Sequence, residues 1–136
     1  MVTFFPWKAS YSVGIASIDA QHMKLVELLN SLWDAMSHGQ GNEACGKILN
    51  QLVSYTLSHF ETEEYLLRKH NYADYAAHKK EHDILKERIR VLQDDLRTGK
   101  ARLSVELGDF LKEWLRHHIL ETDMKYAKHL QSKGVK

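Results

Sequence analysis

Residues 75–96 read YAAHKKEHDILKERIRVLQDDL. Tyr75, His78, His82, Leu85, Ile89, Leu92 and Leu96 follow one another at alternating intervals of three and four, the spacing of one face of a helix packed along a bundle seam. Thr98 and Gly99 then provide a stop. The stretch decides the fold because its period is helical, and it raises a chemical question because two of its seam positions are histidine.

The same pattern recurs on both sides. Ile18, His22, Leu25, Leu29, Leu32 and Met36 define a first helix from about Ile18, with Ser17 as its candidate cap. Leu49, Leu52, Thr56, His59, Glu63, Leu66 and His70 define a second, starting near Asn42. A fourth segment runs from about Ser104 to Ser132, where Leu107, Phe110, Leu111, Trp114, Leu115, Ile119 and Leu120 give a wide apolar face of ambiguous register. The single proline is Pro6, so nothing interrupts these segments. Four helices of about 20 to 30 residues with short connections predict an all-α fold, an antiparallel up-down-up-down four-helix bundle. One domain over residues 1–136 is expected, with the bundle at 18–133 and an aromatic N-terminal arm at 1–17 carrying Phe4, Phe5, Trp7 and Tyr11.

Composition narrows the function. With 19 basic and 18 acidic side chains interspersed, there is no basic stripe for nucleic acid. No apolar run approaches the roughly 20 residues of a membrane span, and the N-terminus lacks the form of a signal peptide. The lone Cys45 cannot pair within the chain, which fits a reducing compartment, and the cytoplasm is the expected location. Charged exterior pairs such as Glu87 with Lys86 or Arg90 make a monomer the default. The unusual figure is nine histidines.

Five seam positions, His22, His59, Glu63, His78 and His82, hold ionisable groups where leucine would pack. Unpaired burial of such groups is costly. A single seam histidine reads as a hydrogen-bonded core residue, but five together point to a bound cation. His78 with His82, and His59 with Glu63, are four apart and lie one above the other on their helices, so each pair can share a metal. That spacing alone is a weak signal at this histidine content. The stronger signal is level: in an antiparallel bundle the early first helix, late second, early third and late fourth meet at one end. The fourth helix brings His117, His118, Glu121 and Asp123 to that level, and periodicity does not choose between His117 with Glu121 and His118 with Asp123.

At this point the chain resembles the hemerythrin family, and within it the short single-domain bacterial branch, the bacteriohemerythrins. The resemblance covers nearly the whole chain. It rests on Gly14 and Ile15, Ile18-Asp19-x-Gln21-His22, His59-Phe60-x-x-Glu63, His78-x3-His82 and Trp114-Leu115-x-x-His118-Ile119-x3-Asp123. It implies two iron ions (Fe2+/Fe3+) with a bridging oxo or hydroxo group. His78, His82 and His118 would hold one ion, His22 and His59 the other, and Glu63 and Asp123 would bridge. The resemblance therefore selects His118 with Asp123. A five-residue step turns about 140° on an ideal helix, so either the two groups approach from different angles or the turn between them is widened.

Imidazole suits iron, and two carboxylates with a hydroxide offset most of the charge of two ferrous ions in a bundle core. Three histidines on one side and two on the other leave one open position, where dioxygen binds by family resemblance. Phe60, Trp114, Leu115 and Ile119 match the family's oxygen-pocket positions. Tyr126, one turn beyond Asp123, is placed to hydrogen-bond a ligand. His38, His70, His117 and His129 are expected to face solvent or cap helix ends.

The resemblance implies reversible dioxygen binding for storage, transport or delivery, with an oxygen-consuming enzyme as recipient, rather than an enzyme. The alternatives are an oxygen or redox sensor, or a di-iron enzyme acting on peroxide or nitric oxide, including a peroxidase-type side activity. Rival classes fit less well. A ferritin-like oxidase needs Glu-x-x-His motifs, and no glutamate here has histidine three residues on. The stretch His78-Lys79-Lys80-Glu81-His82 matches an inverted zinc-peptidase motif, but both histidines belong to the larger set and a small bundle offers no cleft. A purely structural bundle leaves the buried ionisable groups unaccounted for.

Overall fold

The computed structural model describes residues 5–39, 42–98 and 105–135, with the backbone alone at 42–44, 105–107, 120 and 121. A short 3-10 turn, Ala9–Tyr11, precedes helices α1 (Ala16–Ser37), α2 (Asn42–Lys69) and α3 (Tyr75–Thr98). A fourth rod consists of α4 (Val105–His117), a π-helical turn (His118–Asp123) and α5 (Met124–Ser132). His117, Asp123 and Met124 at its junctions all keep right-handed helical dihedrals, so the rod is continuous. No strand occurs among the described residues, and no described helix is long and apolar enough to cross a membrane.

The core has two apolar layers. One contains Leu25, Leu29 and Leu32 of α1, Leu49 and Leu52 of α2, and Leu111, Leu115 and Ile119 of the fourth rod, with Leu92 and Leu96 of α3 against it. The other contains Ile18, Leu67, Tyr126, Ala127 and Leu130, with Tyr75 against it. Along α1 and α3 the second layer comes before the first; along α2 and the fourth rod the order reverses. Consecutive helices are therefore antiparallel, as the seams predict. Each fully buried leucine contributes about 1.5–3 kcal/mol. Between the layers lie His22, Thr56, His59, Glu63, His78, His82, His118 and Asp123, all buried.

Helix ends follow local chemistry. α1 starts at Ala16 with Ile15 in the cap position and no side-chain cap, so Ser17 lies inside the first turn rather than capping it. The entry is organised instead by Asp19, whose carboxylate accepts the Val13 N–H at 2.8 Å and the Ser12 hydroxyl. Gly14 has φ +74°, and the Gln131 carboxamide lies over it while donating to the Val13 carbonyl at 2.8 Å. A side chain at Gly14 would meet both demands badly. α2 closes with Asn71 at φ +55° and the bonds Tyr72 N–H to Leu67 O and Asn71 N–H to Arg68 O, a Schellman turn that aims the chain into α3.

Phe5 is buried, and its backbone makes two bonds to the Asn30 carboxamide, at 2.8 and 2.9 Å. Tyr11 meets Phe5 and Trp7 edge-on, so the described part of the arm packs on the bundle. Two apolar expectations fail. Phe110 is 45% exposed, and the α3 seam beyond His82 is half-buried, since only His78 and His82 of that helix are fully covered. The stop at Gly99, the start at Ser104, Phe4, and the side chains of Leu107, Leu120 and Glu121 fall outside the described residues.

Candidate metal centre

All seven residues singled out as candidate ligands lie in the polar layer. The α-helical i, i+4 step stacks His59 on Glu63 and His78 on His82. His22 projects from α1, and the π turn presents His118 and Asp123. Every one is at most 5% exposed. His59 Nε2 lies 2.9 Å from Glu63 Oε1, and His22 Nε2 lies 2.6 Å from Asp123 Oδ2. His118 Nε2 lies 3.0 Å from Asp123 Oδ2 and 3.1 Å from Glu63 Oε1. His82 Nε2 approaches Glu63 Oε1 at 3.4 Å, and His78 Nε2 approaches Asp123 Oδ1 at 3.5 Å.

These atoms form two groups, each within 4.8 Å: His22, His59, His118, Glu63 and Asp123 in one, His78, His82, Glu63 and Asp123 in the other. The two carboxylates belong to both. His118 Nε2 falls with the first group, although its ring is 5.5 Å from that of His82 and 5.4 Å from that of His59. The π turn is the widening that a five-residue spacing requires, because its i→i+5 pattern brings residues five apart onto one side.

Burial opposes a charge on Glu63, yet the imidazoles of His59 and His118 overcome it and hold the carboxyl well below its usual range. Asp123 is also lowered: burial and the Glu63 charge oppose ionisation, and His118 and His22 outweigh them. Burial would lower His118, but Asp123 and Glu63 push it up to about 10, and His59 is raised in the same way. The layer is thus two anions among cation-accepting nitrogens. His78 Nε2, His82 Nε2 and Asp123 Oδ1 are buried without a hydrogen-bond partner, although nearly all such atoms in proteins have one. A cation between them would satisfy all three.

Tyr126 is fully buried and its hydroxyl donates to Glu63 Oε2 at 2.6 Å; burial and both nearby carboxylates raise its pKa well above the usual range. Of the pocket candidates, Phe60, Leu115 and Ile119 are buried. Phe60 stacks on His82, centroids 3.9 Å apart, and the half-buried Trp114 stacks on His118 at 6.0 Å.

Sequence reasoning gave no role to three supporting contacts. Gln21 Oε1 accepts from His59 Nδ1 at 2.7 Å, and Glu64 Oε2 accepts from His82 Nδ1 at 2.9 Å. Thr122, in the π turn, donates to Glu81 of α3 at 2.9 Å. The signal for Glu64 is its position: it follows Glu63 and faces the neighbouring helix. The other histidines stand outside both groups. His38 donates to the Asp34 carbonyl at the end of α1, His129 donates to the His70 carbonyl, and the exposed His117 pairs with Glu81 at 3.4 Å.

Known proteins share the sequence pattern and the fold. The model of the hemerythrin HHE cation binding domain matches residues 13–130. The bacteriohemerythrin of Methylococcus capsulatus is 34% identical over 119 residues, 88% of this chain and 90% of the relative. A hemerythrin-like protein of Naegleria gruberi is 34% identical over 122 residues, 90% of each. A solved wild-type hemerythrin superposes with a TM-score of 0.87 at 33% identity, covering 93% of this chain and 98% of the other. From residue pattern, buried site and fold together, the chain belongs to the hemerythrin family.

Proposed function

We propose that this protein binds dioxygen reversibly at a non-haem di-iron centre, for storage or delivery. The observation that carries the reading is that Glu63 and Asp123 belong to two buried ligand groups at once, as bridging carboxylates would. The donors suit iron: five imidazoles, two carboxylates, and buried ligand atoms lacking hydrogen bonds.

His78, His82 and His118 would hold one ion and His22 and His59 the other, with Glu63 and Asp123 shared between them. The ring position of His118, nearly equidistant from His59 and His82, is compatible with service on the three-histidine side. Five histidines cannot divide equally, so one ion would have a protein ligand fewer and room for a small molecule. When bound, the two iron ions supply the two electrons that dioxygen takes up and returns on release. Tyr126 holds Glu63 in one orientation through its 2.6 Å bond. Phe60, Leu115 and Ile119, buried beside or beyond the ligand layer, keep water from it.

The test is iron content together with the visible spectrum of the anaerobically reduced protein, before oxygen, after oxygen and after purging. Two irons per chain and a colour that appears and reverses are expected. Irreversible oxidation assigns the centre instead to an oxygen or redox sensor, or to an enzyme acting on peroxide or nitric oxide, and absence of iron overturns the metal reading.

A further inference from the structure

The buried histidines differ in what holds the ring nitrogen facing away from the centre. His22 Nδ1 and His118 Nδ1 are buried with no hydrogen-bond partner. His59 Nδ1 meets a neutral amide, Gln21 Oε1, at 2.7 Å. His82 Nδ1 meets a carboxylate, Glu64 Oε2, at 2.9 Å. Glu64 is itself 8% exposed, and beyond it the one cation in contact among the described residues is Lys86, whose Nζ is 3.8 Å away.

A histidine that donates to a carboxylate is fixed in the tautomer that frees Nε2, and becomes a more basic ligand than one donating to an amide. A more basic, more negative ligand set favours the higher charge state of a metal. We propose that Glu64 is a positioning residue that makes the ion on the His78–His82 side the more easily oxidised of the pair. The inference rests on the di-iron reading above. It also gives the two sides different redox character before any difference in ligand number is considered.

The experiment is the midpoint potential of the iron-loaded protein by spectroelectrochemistry, with iron content measured alongside. Glu64→Gln keeps an oxygen that can accept from His82 and removes the charge, so the variant should load iron and show a higher potential. Lys86→Met, at a partly exposed position, removes the cation that offsets Glu64 and should move the potential the opposite way. Asp83→Asn removes an exposed charge next to His82 in the chain that makes no bond to the ring, and should shift the potential less than Glu64→Gln. Glu64→Leu, which leaves His82 Nδ1 without an acceptor, should weaken iron binding by about 10- to 100-fold.

A loaded Glu64→Gln protein with an unchanged potential, or one shifted no more than Asp83→Asn, overturns the proposal and leaves the di-iron reading standing. If Glu64→Gln does not fold, an unchanged potential in Lys86→Met overturns it. Failure of the unsubstituted chain to take up iron overturns the reading and the proposal together.

Discussion

His118 and Asp123 stand five residues apart and bring Nε2 and Oδ2 to 3.0 Å of each other, because the helix between them is wound as a π turn. On a regular α-helix that step would swing the second side chain about 140° away. A π turn is held by poorer packing than an α-helix and needs support from its surroundings. Here Thr122, inside the turn and 2% exposed, is tied to Glu81 on α3.

Thr122→Val should therefore act on the site without touching it. Loss of the bond is expected to cost about 1 kcal/mol of stability and to weaken iron affinity by about 10-fold. Thermal unfolding with and without metal, and iron titration, measure both. Unchanged affinity would mean that the turn keeps its shape without α3.

Glu63 is shared by both ligand groups and touched by His59, His118 and Tyr126. Glu63→Ala is expected to abolish di-iron loading while the helices persist in circular dichroism. Full iron occupancy in this variant would rule out a bridging role.

Leu115, 1% exposed, belongs to the apolar layer that abuts the ligands. Leu115→Ala should cost about 2–5 kcal/mol and speed autoxidation of the oxygenated form by admitting water. If spectra decay at the unsubstituted rate, Leu115 is core and not pocket wall.

Protons and metal compete for the same nitrogens. His59 and His118 are raised above their unfolded value of 6.5, His118 to about 10. In the metal-free protein they contribute stability that is full below pH 6.5 and is lost as pH rises through the folded values. Glu63 and Asp123, both lowered, contribute stability that is present above the usual carboxylate range and lost as pH falls through theirs. The metal-free protein should thus lose stability from pH 6.5 toward 10, and metal uptake at pH 7 should release at least one proton per chain. Calorimetry in buffers of different ionisation enthalpy measures the release; heat independent of buffer would contradict it.

Much of this was legible in the residues. Alternation of three and four places α1, α2 and α3, and the break in apolar character at His22, His59, Glu63, His78 and His82 marks the ligand layer. The fourth rod was not legible in the same way. Periodicity favours no one pair among His117, His118, Glu121 and Asp123, because a π turn shifts phase midway and a regular period cannot register it. Ser17 misled because capping by a side chain gave way to the Ser12–Asp19 contact, which depends on the loop. The contacts of Gln21, Glu64 and Glu81 were not legible for a related reason: each acts across a helix–helix gap, where rotation of the neighbour decides the partner.

The contact between His22 and Asp123 joins positions 101 residues apart. During synthesis His22, His59, Glu63, His78 and His82 therefore leave the ribosome in order, and all of them precede the carboxylate that both ligand groups share with Glu63. A chain that has not yet reached the fourth rod holds only part of the donor set, so both ligand groups are completed together, by the last helix to be made.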